Sequence, residues 1–189
     1  YGDYFFVTSG NDNKVYRYGF AVDSAWFLNS IMLGKPAPEE YVSPTGLAVG
    51  NDGGTIYVTS KMSNTLFKLN AFDNTIEKSV TFAGPLYSCL LDPVRGLVFV
   101  TDWGSGSVAV VEAGALNRVA GIRTGNHPTA MVTDAAGKRL FVTNSGDNTV
   151  SVIDMDQRMV METIDVALRP GSPVGSTPNA VAVSGDSLL

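Results

Sequence analysis

The chain has 189 residues, 44% of them apolar and 16% charged, with 20 Gly, 9 Pro, one Cys and a formal net charge of −5. The charged share lies well below the roughly 25% of an average globular domain, and 23 valines accompany abundant Gly, Ser and Thr; this excludes a disordered chain and suits strands covered on both faces. Mild acidity argues against a nucleic-acid face, no run approaches the ~20 apolar residues of a membrane span, and one cysteine excludes an internal disulfide framework or a four-thiolate metal site.

Taken in order, the chain opens on Tyr1 and not on Met, as expected of a piece or of a chain from which something was removed, and reaches a strand at Phe6-Val7-Thr8-Ser9. A polar turn, Asn11-Asp12-Asn13, leads into Lys14-Val15. Extra chain follows between Asp23 and Ser43, where Trp26-Phe27-Leu28 and Lys35-Pro36-Ala37-Pro38-Glu39-Glu40 predict an elongated outer hairpin and a loop. An alternating run from Pro44 to Val49 and the turn Asn51-Asp52-Gly53-Gly54 precede Tyr57-Val58-Thr59-Ser60, and Asn64-Thr65-Leu66 opens the next strand. The same order returns with Leu86 to Leu91, Phe99-Val100-Thr101-Asp102 and Gly106-Ser107-Val108. It returns again with Pro128 to Thr133, Leu140 to Asn144, Thr149 to Asp154 and Val160 to Asp165. A second insertion, Ala167 to Ser176, stands ahead of Thr177-Pro178, and Ser187-Leu188-Leu189 is read as the start of a further strand.

Three marks therefore share one register, and the threonines Thr8, Thr59, Thr101 and Thr143 lie 51, 42 and 42 residues apart. Each period holds four short strands, A to D: the Pro-led run, the aromatic-Val-Thr run, the strand after the polar turn, and an outer strand. Gly, Asn and Asp supply the positive φ and local hydrogen bonds of the connecting turns. A four-stranded unit of this length, without helices, predicts an all-β protein: a β-propeller of four-stranded antiparallel blades, each burying both faces against its neighbours. About four blades are expected, in one partial domain over residues 1–189 with repeats near 1–49, 50–91, 92–133 and 134–189. Both insertions precede a strand A, so both are expected on one face of the disc, and that face is the expected binding surface.

The stretch Phe141-Val142-Thr143-Asn144-Ser145-Gly146-Asp147-Asn148-Thr149-Val150, preceded by Gly125-Asn126-His127-Pro128-Thr129-Ala130, resembles the YVTN family of β-propeller repeats. The other copies carry Ser9, Ser60 and Asp102 at the fourth position. The resemblance implies seven blades and export to the periplasm or cell surface. Pro173-Val174-Gly175-Ser176-Thr177-Pro178-Asn179-Ala180 further resembles a segment of bacterial proteins that join a YncE-like propeller to an alkaline-phosphatase-type phosphoesterase domain, which implies a hydrolase domain outside this chain.

The residues themselves offer little catalytic chemistry. His127 is the single histidine and stands before Pro128 without the partners a general base or metal ligand needs, so it reads as an exposed turn residue. Gly104-Ser105-Gly106-Ser107 lacks the strand-to-helix setting of a nucleophile elbow, and Cys89, inside a strand, reads as a small buried hydrophobe. Asn11-Asp12-Asn13, Asp102 and Asp147-Asn148 carry oxygens suited to Ca²⁺, yet hairpin chemistry accounts for them. Trp26 and Trp103 could stack on a ligand or pack between blades. The reading is a non-catalytic module that presents loops to a small ligand or protein, with contacts at Trp103, Asn126, His127, Thr129, Asp147, Asn148 and Asn179, no cofactor, and no nucleic acid or membrane span. The alternatives are a lactonase-like hydrolase, by fold analogy, and a surface-layer or adhesion repeat protein.

Overall fold

The structure, a computed structural model, describes residues 3–169, 173, 177–184 and 187–188. Four antiparallel sheets follow one another along the chain, with no helix among the described residues. The first has three strands, β1 (Tyr4–Ser9), β2 (Lys14–Phe20) and β3 (Ala25–Met32). The second runs β4 (Pro44–Val49), β5 (Thr55–Ser60), β6 (Thr65–Asn70) and β7 (Thr75–Thr81). The third runs β8 (Leu86–Asp92), β9 (Leu97–Asp102), β10 (Ser107–Glu112) and β11 (Arg118–Arg123), and the fourth β12 (Pro128–Thr133), β13 (Arg139–Asn144), β14 (Thr149–Asp154) and β15 (Met159–Asp165). A short pair, β16 (Val183–Ser184) and β17 (Ser187–Leu188), ends the chain. Each full sheet is a meander in the order A-B-C-D, so the architecture is an arc of propeller blades, here called blades 1 to 4. Strand A pairs with the B strand that follows it, so a sheet straddles two sequence repeats.

Local chemistry explains the turns. In the four B-to-C turns the fifth position is left-handed and is filled by Asn13, Asn64, Gly106 and Asn148, with φ between 53° and 63°. These are the residue types that tolerate αL. The A-to-B turns place Gly53, Gly96 and Gly137 at φ of 70°, 65° and 62°. Asp52, Asp92 and Asp134 accept backbone N–H groups of those same turns through their carboxylates.

Strand alternation explains the packing. Ile56 and Val58 of β5 enter a core shared with blade 1, while Tyr57, between them, enters the core shared with blade 3. The pattern advances by one blade with Val98 and Val100 against Phe99, and again with Leu140 and Val142 against Phe141. Strand B of blades 2 to 4 thus feeds two interfaces. That double burial is why its run is continuously apolar and not alternating.

The recurring threonine fills a defect. Strand A of each full blade bulges, between Pro44 and Leu47, Leu86 and Cys89, and Pro128 and Met131. The bulge strands one backbone N–H from the ladder, and the strand B hydroxyl accepts it: Gly46 to Thr59 at 2.9 Å, Ser88 to Thr101 at 2.7 Å, Ala130 to Thr143 at 3.0 Å. The hydroxyl proton can then reach the next blade, with Thr8 donating to the Thr45 carbonyl, Thr59 to that of Tyr87 and Thr101 to that of Thr129. Asn144, fully buried at the fourth position, donates to the hydroxyls of Thr149 and Ser151 and ties strand B to strand C.

The first insertion forms the D-to-A connection over residues 33–43, where blades 3 and 4 use only residues 82–85 and 124–127. Trp26, Phe27 and Leu28 lie exposed on the outer hairpin. The second insertion falls partly on residues 170–172 and 174–176, outside the described residues, as do Leu189 and residues 174–176 of the segment resembling the phosphoesterase-linked proteins.

Candidate functional site

In an A-B-C-D meander the B-to-C turns and the D-to-A connections emerge on one face, and the two other turn sets on the opposite face. On the first face, backbone bonds clip each B-to-C turn to the connection entering its own blade: Lys61 N–H to Ser43, Trp103 N–H to Pro85 and Ser145 N–H to His127, all between 2.9 and 3.1 Å. Lys61 and Trp103 occupy the same turn position, just after strand B, in neighbouring blades. His127 stands at the last position before strand A of blade 4, held in the left-handed region at φ 53°.

Blade packing brings the three together. The His127 imidazole stacks on the Trp103 indole with ring centroids 3.9 Å apart and planes within 13°. Lys61 Nζ lies 4.9 Å from the Trp103 centroid and 5.9 Å from that of Tyr87. Cation–π attraction and stacking make a ladder across blades 2, 3 and 4. Trp103 is half-buried, so its ring serves the face and not a blade core, whereas His127 is exposed. Lys61 forms no ion pair among the described residues.

Beside the ladder, Asp147 accepts both the backbone N–H of Asn126 and its side-chain amide, the latter at 2.7 Å. Gly146 makes this possible: a Cβ there would stand 2.8 Å from Asn126 Cβ and 2.9 Å from His127 Nδ1. A Cβ on Gly125 would likewise meet Asp147 Oδ2 at 2.5 Å. Two glycines therefore let the turn and the connection close on each other.

The remaining expected contact residues divide. Asn179 is exposed. Thr129 is only 2% exposed, its hydroxyl bonding Thr143 at 2.8 Å and the Pro178 carbonyl at 3.3 Å, so it supports the face from below. Asn148 is equally buried, donating to the Pro173 carbonyl and accepting from the Thr177 N–H. The acidic turn groups are also engaged: Asp102 accepts the Ser105 N–H, and Asp12 accepts Tyr16 and Ser9 hydroxyls, which hold its carboxyl below the usual range. Cys89 is buried, and burial pushes its thiol up to about 12, far from a reactive thiolate. Among the described residues no three His, Cys, Asp or Glu side chains gather as a metal site. No helix of the described residues is long and apolar enough to cross a membrane.

Lys61 and Tyr87 escaped the sequence reading. The equivalence of Lys61 with Trp103 in the repeat is the signal that marks it.

No family profile matches the chain, and no curated protein matches it. Among solved structures, hydrazine synthase of Kuenenia stuttgartiensis superposes with a TM-score of 0.73 at 18% identity, over 84% of this chain and 45% of that one. A functionally unknown protein from Desulfotomaculum acetoxidans gives 0.77 at 11% identity, over 98% and 59%. A protein from Lactobacillus plantarum gives 0.72 at 16% identity, over 86% and 54%. The chain thus spans about half the length of these structures. At such identities the likeness is one of fold, and the fold it supports is the propeller arc described above.

Proposed function

We propose that the chain is the binding arc of a larger propeller, a non-catalytic module that holds a carboxylate-bearing ligand on the face carrying Lys61, Trp103 and His127. The observation that supports this most is the ladder itself. Three blades contribute one side chain each to a single stacked array at the surface, and its terminal cation has no carboxylate partner among the described residues of a chain of net charge −5. An ammonium group parked over aromatic rings keeps its charge available to an incoming anion.

The seven-bladed ring, export from the cytoplasm and a hydrolase domain elsewhere in the polypeptide belong to the same proposal, supported by the YVTN resemblance and by a span of about half the structural neighbours.

Titration with citrate and with galacturonate tests the binding reading, using a Trp26→Phe background in which Trp103 is the sole tryptophan. Saturable change in its fluorescence, lost in Lys61→Ala and weakened in His127→Ala, is the expected result; a response unaltered by Lys61→Ala overturns it. Hydrolysis of lactones or phosphate esters that depends on His127 would assign the chain to catalysis instead.

A further inference from the structure

The long connection of blade 1 builds one wall of a cleft against blade 2. Residues 33–42 fold beside the C and D strands of blade 2 and border an open cleft of about 400 Å³, within the roughly 300–1,000 Å³ of small-molecule sites. One buried side chain organises this wall. Asn13, 1% exposed and at φ 53°, donates to the Lys35 and Glu40 carbonyls at 2.7 and 2.8 Å and accepts the N–H groups of Val42 and Ser43. Ser60 donates its hydroxyl to the Val42 carbonyl and clips the wall to blade 2. The wall is therefore preorganised, which lowers the ordering cost of binding.

The lining combines an apolar floor with hydroxyls. Phe67, 8% exposed, lies beneath, and Ser63, Thr65, Ser79 and Thr81 stand along the blade 2 side. On the facing wall Tyr41 remains 61% exposed although its backbone is fixed, and Glu40 is the single charged group of the lining. One Glu40 oxygen accepts the Lys35 N–H at 2.6 Å, which aims the carboxylate. An aromatic ring, hydroxyls of either hydrogen-bonding sense and one acceptor carboxylate match a pyranose, whose C–H face packs on an aromatic ring while its hydroxyls both donate and accept.

We propose that this cleft is a binding site for a neutral saccharide, with Tyr41 as the stacking platform and Glu40, Ser79 and Thr81 as hydroxyl partners. The site is separate from the ladder, and its argument does not depend on the carboxylate-binding reading.

The test is amide chemical-shift titration of the full chain with glucose, galactose, mannose and N-acetylglucosamine. Saturable shifts at Tyr41, Ser63, Ser79 and Thr81 are expected for at least one sugar. Tyr41→Ala should weaken binding at least about tenfold, the size of change a central contact residue produces, while Tyr41→Phe retains it. Lys61→Ala should leave it unchanged. Both Tyr41 variants alter an exposed side chain, and unchanged spectra elsewhere confirm that they fold. The proposal is overturned by no shift with any of the four sugars, by shifts indifferent to Tyr41→Ala, or by binding of ethanolamine in their place through Glu40.

Discussion

At Thr101 one hydroxyl does the work that a strand normally leaves to the backbone ladder. It accepts the Ser88 N–H released by the strand A bulge and stands 3.3 Å from the Thr129 carbonyl of the next blade. Removing it leaves a buried donor without a partner, so Thr101→Val is expected to cost about 1–3 kcal/mol in denaturant unfolding, with Thr101→Ser recovering most of the loss. The repeat of the threonine was legible in sequence, but its reason was not, because the bulge it repairs exists only once A and B pair. Asp134 gives a pH-dependent case. Burial pulls its carboxyl up, but hydrogen bonds from the Arg139 guanidinium and from the N–H groups of Lys138 and Arg139 outweigh it and hold it below its ordinary value. A lowered folded value means stability fully present above the unfolded pKa of about 3.9 and lost as pH falls through the folded value. Asp134→Asn should therefore flatten the acid side of a melting-temperature profile below about pH 4 while lowering stability at neutral pH.

Among the elements, the C-to-D turns show where turn chemistry was followed and where it was not. Asn74, Leu116 and Arg158 share one left-handed position, at φ 60°, 61° and 56°, and only Asn74 is a residue that favours it. Arg158 is exposed, so Arg158→Gly relieves the strain with no packing lost and should stabilise the chain by ~0.5–1 kcal/mol. Leu116 is 3% exposed within the core between blades 2 and 3. The same change there should destabilise by about 2–5 kcal/mol, since cavity formation outweighs backbone relief. Thermal unfolding of the two variants side by side checks both signs. The long connection at 33–43 teaches a similar lesson. Its extra length was visible in the period, yet the cleft it borders depends on Asn13 reaching across to bind it.

For the whole molecule, blade 1 breaks the rule that blades 2 to 4 obey. Phe5 and Val7 hold the positions of Ile56 and Val58, Val98 and Val100, and Leu140 and Val142, which are all 0% exposed. Phe5 and Val7 are 40% and 43% exposed, and Phe20 and Phe27 continue the apolar face. Charging this face in the 189-residue chain, as Phe5→Lys with Val7→Lys, should raise solubility with little change in melting temperature. Charging Val100 should unfold the chain, since a lysine there has neither water nor a partner. Centrifugation after thermal challenge separates the two outcomes. The sequence by itself determined the period, the four strands of each blade, the turn residues and the two faces of every strand B. These follow from φ preferences and side-chain alternation, which act over a few residues. Only the tertiary structure decided that Lys61, Trp103 and His127 meet, that Thr129 and Asn148 lie beneath the face, and that the first insertion walls a cleft. Contacts between turns of different blades depend on how far each blade rotates against the next, and the burial of both its faces sets that rotation.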